Sequence, residues 1–248
     1  MAYRESPPPR LLRGLVECGW MAGIAADEPP QLLTVVPDGC MDLIWTGTEL
    51  LVAGPDTAPH PYRRDPGMTA AGLRFAPGRL PALLDVPAAL LRDRRVPLAE
   101  LHPALARRGT ARVEHGAAPT TVLVDLALAL PGPPPDPGVA AVAAHVGAAA
   151  SVTATADALG WTSRTLHRRC LAAFGYGPAV LRRVLRFRRA LALLRAGTPA
   201  AEAAVAAGYA DQPHLSREVR ALAGVAPGQL VSGANRSTPL PSGSCTTA

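Results

Sequence analysis

The side chains best placed to do chemistry in this sequence are not paired catalytic groups but polar residues recurring at helical spacing toward its C-terminal end. Arg164, Thr165, His167 and Arg168 lie within TATADALGWTSRTLHRRC, and Gln212, His214, Ser216 and Arg217 within AEAAVAAGYADQPHLSREV. A guanidinium pairs bidentately with guanine and a carboxamide with adenine, so on an exposed helix face these residues are candidate readers of base edges. Arg169, Arg182, Arg186 and Arg220 are candidate phosphate contacts, which position a protein on DNA without reading sequence. Half or more of protein–DNA hydrogen bonds go to phosphate and sugar, so any one of the base-reader assignments competes evenly with a backbone assignment. Arg186, in a basic helix, also has an internal ion pair as an alternative.

Those residues need elements to hold them, and the two stretches share one plan. Each has a short Ala-rich helix, a glycine followed by an aromatic residue, a polar turn and a second helix. Aligning Gly160 with Gly208 sets Trp161 on Tyr209, Leu166 on Leu215 and Arg168 on Arg217. This is a helix-turn-helix plan, in which glycine permits the chain reversal and the aromatic packs the helices together. Ser163 is expected to cap the first recognition helix and Asp211 its counterpart. Between the units, Pro178 suits a first helical position. Val180, Val184, Phe187, Leu191 and Leu194 then form one buried stripe, closed by Gly197, with Arg182, Arg186 and Arg189 opposite.

The charge is divided between the two halves. All 25 cations are arginines; residues 1–137 carry a net −2, residues 138–235 a net +7, and Arg236 completes the total of +6. A genome-wide preference for Arg would replace Lys throughout, but would not remove acids from one half only. A basic excess confined to the helical half is the electrostatic footprint of a nucleic-acid-binding module.

Residues Val152 to Leu230 resemble the DNA-binding domain of the AraC/XylS family of bacterial regulators. The likeness is carried by AAGYADQPHLSREVRALAGVAP in the second unit, and by GYGP (Gly175 to Pro178) and LRFRRALALL in and after the first. VVPDGCMDLIW, VAGPDT and LLDVPAALLRDRRVPL are similar to the front half of certain actinobacterial members. The sequence departs from the family pattern at Cys170, where Phe is usual, and at Leu215 and Val219, where aromatics are frequent. The resemblance implies a sequence-specific transcription regulator whose long helix, Ala179 to Ala196, spaces two recognition helices into successive major grooves, about 34 Å apart. It implies double-stranded promoter DNA as partner, and it admits a small-molecule effector, a homodimer and, for an activator, RNA polymerase.

Ahead of the helical half, PGPPPDPG (Pro131 to Gly138) has the composition of a stiff linker. The expected domains are residues 1–130 for sensing or dimerisation, linker 131–138, double helix-turn-helix 139–231 and a disordered tail 232–248. The front domain reads as α+β, with short strands at Leu32–Val36, Met41–Trp45, Leu50–Ala53 and Ala70–Phe75, and the family likeness suggests a barrel. Helical pattern follows from Leu80 to Leu101, and Thr121–Leu130 reads as an apolar helix. The C-terminal domain reads as all-α.

Chemistry other than binding finds little support. Cys18, Cys40, Cys170 and Cys245 form no CxxC pair, and the six histidines lack metal-ligand spacing, so neither disulfide framework, metal nor cofactor is expected. Asp38 and Asp42 flank Cys40 and would raise its pKa, which argues for an ordinary strand residue over a reactive thiol. His60, Tyr62, Arg63 and Arg64 could line a ligand pocket, but read more simply as a solvated loop. No Ser/His/Asp set or phosphate-binding glycine loop is present, so no enzyme is expected. A DNA-delivered enzyme and an effector-blind architectural binder are the competing classes. Pro7 to Pro9 interrupt any signal-peptide core, and no apolar run approaches the roughly 20 residues of a spanning helix. A cytoplasmic protein without a membrane partner is expected.

Overall fold

Eight strands build the front of the chain in the computed structural model, which describes residues 3–231. They are β1 (Arg4–Ser6), β2 (Val16–Gly23), β3 (Gln31–Val35), β4 (Met41–Trp45), β5 (Leu50–Ala53), β6 (His60–Arg64), β7 (Thr69–Phe75) and β8 (Arg95–Pro97). Six form an open antiparallel sheet in the order β1-β2-β7-β4-β5-β8, and β3 pairs with β6 as a separate ribbon. The barrel expectation is corrected accordingly: the sheets do not close on each other, and β1 and β8 are edges.

Alternation along the strands gives the large sheet two different faces. Met41, Leu43, Trp45, Leu50, Val52, Ala71, Leu73 and Phe75 point to one side and join the main apolar core. That core is covered by α1 (Leu80–Leu84), α2 (Leu98–Leu101), α3 (Pro103–Glu114) and α4 (Pro119–Leu128), which contribute Leu80, Leu84, Leu98, Ala106 and Leu126. The alternate residues, Trp20, Asp42, Ile44, Leu51, Ala53 and Arg74 among them, face the β3–β6 ribbon across a cavity.

The helical half comprises α5 (Pro137–Gly147), α6 (Val152–Ala158), α7 (Ser163–Phe174), α8 (Pro178–Arg195), α9 (Ala200–Ala207), α10 (Gln212–Ala223) and α11 (Pro227–Val231). The proline-rich segment before it is packed rather than free. The Gly132 N–H donates to the Leu83 carbonyl at 2.9 Å, and a Cβ at Gly132 would lie 1.9 Å from the Ala82 oxygen, an approach only glycine permits. Asp136 then caps α5 by accepting from the Gly138 N–H at 2.8 Å. The expected tail, 232–248, lies outside the described residues. Among the described residues no helix is long and apolar enough to cross a membrane, and no cluster of His, Cys, Asp and Glu could hold a metal ion.

Candidate functional site

Each helix-turn-helix unit is assembled by a cap, a left-handed glycine and a buried stripe. In the first, Ser151 caps α6, the chain turns at Gly160 with φ +63°, and Thr162 caps α7 by accepting from the Thr165 N–H at 3.1 Å. The cap is therefore Thr162 and not Ser163. Thr162 has extended backbone angles (φ −71°, ψ 155°), whereas Ser163 is already the first helical residue. In the second unit the chain turns at Gly208, φ +86°, and Asp211 caps α10 by accepting from the His214 N–H at 2.6 Å.

Leu166, Cys170 and Phe174 bury the inner face of α7; Leu215, Val219 and Leu222 do the same for α10. Arg164, His167 and Arg168 are exposed on α7, and Gln212 and Arg217 on α10. Thr165, His214 and Ser216 are half-buried. The Thr165 hydroxyl accepts from Thr162, and the His214 ring meets the Tyr209 ring edge-on with centroids 5.2 Å apart. The His167 ring lies over Gly177, where an added Cβ would come within 2.9 Å of its Cε1.

The buried stripe of α8 runs through Leu181, Val184, Leu185, Phe187, Ala190, Leu191 and Leu194, while Val180 faces outward at 37% exposure. Two arginines expected at phosphates have protein partners. Arg169 pairs with Asp136 and stacks 4.3 Å from the centroid of a Trp161 ring. Arg186 sits 4.3 Å over Tyr209 and 3.8 Å from Glu218, the internal pairing that its place in a basic helix had left open. Arg182 and Arg220 are exposed. Arg182, Arg186 and Arg189 line a notch of about 100 Å³ against Gly147, Ala149 and Gly208.

The front domain meets the opposite ends of the recognition helices. Gly175, which ends α7, is packed against Pro55 and Ala88, and its carbonyl accepts from Arg92 at 3.3 Å. Gly224, which ends α10, lies against Pro59. Val36 joins the apolar cluster of Phe187, Leu191, Leu215 and Leu222. Docking thus occupies the C-terminal ends and leaves the N-terminal halves exposed.

The cavity between the two sheets holds about 280 Å³. Register arranges its floor in layers. One crosses Cys18, Arg74, Asp42, Ala53 and Arg95, and the next crosses Trp20, Gly72, Ile44 and Leu51. Arg74, almost wholly buried, lies 3.4 Å from Glu5, 3.6 Å from Asp38 and 3.5 Å from Asp42. The Trp20 Nε1–H donates to Asp42 at 2.6 Å, and Arg95 grips Asp56 with two hydrogen bonds of 2.8 and 2.7 Å. Burial raises the Asp42 pKa, and the neighbouring Arg74 opposes that shift. His60, Tyr62, Arg63 and Arg64, read above as a solvated loop, form β6 and line this cavity. Their i, i+2 alternation was the available signal, hidden by a composition with no run of apolar residues. Cys40 is buried just before β4; burial and then Asp38 push its thiol well up, so it is no reactive nucleophile.

Paired units in common register, the first presenting Arg164 and Arg168 and the second Gln212 and Arg217 from the early turns of its second helix, make this half a double helix-turn-helix DNA-binding domain. Residues 155–232 match the family described as "Helix-turn-helix domain", and residues 4–97 match "Domain of unknown function (DUF6597)". The C-terminal match agrees with the AraC/XylS resemblance of Val152 to Leu230 and supports a DNA-binding transcription regulator. None of the curated proteins matches it. Among solved structures it is similar to ToxT from Vibrio cholerae, with 9% identity over 94% of this chain and 98% of that chain and a TM-score of 0.48. It is similar also to ToxT from Vibrio cholerae O395 bound to (E)-4-(8-methylnaphthalen-1-yl)but-3-enoic acid, with 10% identity, 94% and 99% coverage and a TM-score of 0.49.

Proposed function

We propose that the protein reads promoter DNA by setting the N-terminal halves of α7 and α10 into successive major grooves of one face of the duplex. The observation that carries this reading is the docking arrangement: the front domain occupies the C-terminal ends of both helices, at Gly175 and Gly224, and leaves Arg164, Arg168, Gln212 and Arg217 exposed. Helix α8, with 18 residues, spans about 27 Å between the units, a length suited to a groove repeat of about 34 Å. Arg164, Arg168, Gln212 and Arg217 are the foremost base readers; exposed His167 and the half-buried Thr165, His214 and Ser216 support them. Arg182 and Arg220 contact phosphates, with Arg189 added by its place in the arginine notch. The units are a front domain of residues 1–130 and a DNA-binding domain of residues 139–231.

The front-domain cavity serves as an effector pocket. Asp38 and Cys40 line it, and the same two residues are held from outside by Arg188 of α8, which donates to the Asp38 carbonyl at 3.5 Å and to Cys40 Sγ at 3.4 Å. A molecule in the cavity would press on a loop already in contact with the helix that spaces the two readers, which is a physical route from effector to DNA.

Selection of duplexes from a random pool at near-physiological salt tests the DNA reading, run beside the Arg168→Ala/Arg217→Ala double variant. Enrichment of two short blocks about one helical turn apart, with bases within both blurred by the variant, is the expected result. Binding that enriches nothing and merely fades with salt would reduce the protein to a backbone binder and overturn the reading.

A further inference from the structure

One cation on the cavity wall has no acid to answer it. Arg64 ends β6, is 8% exposed and lines the cavity. Its Nη2 donates to the Tyr62 hydroxyl at 2.8 Å, and its guanidinium lies 5.7 Å from the Tyr62 ring centroid. Among the described residues no carboxylate lies within 4.0 Å of it, whereas each neighbouring arginine on the cavity wall has at least one. Glu5, Asp38 and Asp42 share Arg74, Asp56 holds Arg95, and Arg63 pairs with Asp65. His60 adds no charge near neutrality, because burial and then Arg95 lower its pKa. A desolvated guanidinium without a counter-ion is costly to keep, and a bound anion relieves that cost.

The surroundings of Arg64 restrict what the anion can be. The Tyr62 oxygen accepts from Arg64, so the phenol proton is left to donate, and burial raises the Tyr62 pKa so that the proton stays in place. One guanidinium fork and one hydroxyl suit the two oxygens of a carboxylate; a phosphate dianion would leave a second charge uncompensated in an apolar site. Trp20, Ile44, Leu51 and Ala70 give the same cavity its apolar wall, the first three in the register layer next to that of Asp42 and Arg95. The five residues of β6 set the span from Arg64 to His60 at about 13 Å.

Resting on the effector-pocket reading above, we propose that the cavity takes a small monocarboxylic acid with a flat apolar body. Its carboxylate lies on Arg64 and the Tyr62 hydroxyl, and its body lies against Trp20, Ile44 and Leu51.

Calorimetry and thermal shift on the full chain test this with benzoate, trans-cinnamate and 4-phenylbutyrate, each beside its primary amide and its amine analogue at constant ionic strength. At least one acid binds the wild type roughly tenfold to a hundredfold more tightly than its amide, and Arg64→Gln brings that acid down to the amide's affinity while leaving the amide unchanged. Tyr62→Phe costs the acid several-fold and the amide nothing, which serves if Arg64→Gln unfolds. Ile44→Trp, which fills the cavity, abolishes binding of acid and amide alike. If amides or amines bind as well as the acids, the carboxylate assignment is wrong and the pocket stands. If none of the nine compounds binds, or Ile44→Trp leaves binding intact, the cavity is not the effector site and both readings fall.

Discussion

Arg188 of α8 donates two hydrogen bonds of 2.8 Å, one to each oxygen of the Glu17 carboxylate on β2. Both come from the same Nη2, so a single nitrogen bridges the carboxylate, joining residues 171 positions apart and tying the DNA-binding half to the front sheet. Both side chains are about four-fifths buried, at 21% and 23% exposure. A double-mutant cycle of Arg188→Ala and Glu17→Ala in urea denaturation should return a coupling of about 1 kcal/mol or more. Coupling indistinguishable from zero would mean that this pair adds nothing to the joint, which then rests on the apolar contacts and on hydrogen bonds such as that from Arg92 to the Gly175 carbonyl.

The position of the first recognition-helix cap gives a sharp contrast between adjacent residues. Thr162→Ala removes the acceptor for the Thr165 N–H and should cost about 1 kcal/mol, measured as a shift in urea midpoint. Ser163→Ala, one residue inside the helix, should change stability by only a few tenths. The reverse order would place the helix start one residue later.

Two glycines separate backbone strain from docking. Gly160 and Gly175 both have positive φ, +63° and +81°, but a Cβ meets nothing within 4 Å at Gly160 and would lie 2.7 Å from Pro55 Cγ at Gly175. Gly160→Ala should cost about 1–2 kcal/mol, the left-handed penalty alone. Gly175→Ala should cost clearly more, because the front domain must also shift. Equal losses, read by thermal or urea unfolding, would show that the front domain does not press on the end of α7.

Buried thiols give the stability a falling alkaline limb. Burial raises Cys18 and Cys170 to about 12, against an unfolded value near 8.5. The folded state therefore keeps its protons after the unfolded chain has begun to lose them. This contribution is whole below about pH 8.5 and is lost as the pH climbs toward 12. Unfolding free energy between pH 8 and 10.5 should fall less steeply in Cys18→Ala/Cys170→Ala than in the wild type. Parallel slopes would show that these thiols titrate alike in both states.

The strands Met41–Trp45 and Leu50–Ala53 were legible to the residue because both combine β-branched or aromatic residues with flanking turns. Strand β2, VECGWMAG, carries no such signal: its two glycines and Glu17 give no apolar run. The glycine at 19 packs against Ser6 and Leu73, while Glu17 answers an arginine from another domain. Strand β6, HPYRR, reads as loop in the sequence because its cavity side carries His60, Tyr62 and Arg64 and its other side is exposed, so nothing along it looks like core. The helix-turn-helix units were legible because their stripes, turn glycines and aromatics repeat in order. What sequence did not reveal was which arginines are already engaged: Asp136 and Trp161 claim Arg169 and Tyr209 claims Arg186 only once the chain is folded.

The large sheet of the front domain carries its core on one face and its cavity on the other, with the two sets of residues interleaved along each strand. Asp42 and Ile44 meet the cavity, while Met41, Leu43 and Trp45 between them hold the helices. Changing every second residue therefore alters what the cavity accepts and leaves the helix-packed face as it was. On the effector-pocket reading proposed above, substitutions on that face would retune the ligand while the helix-packed face and the contacts with α8 stay as they are.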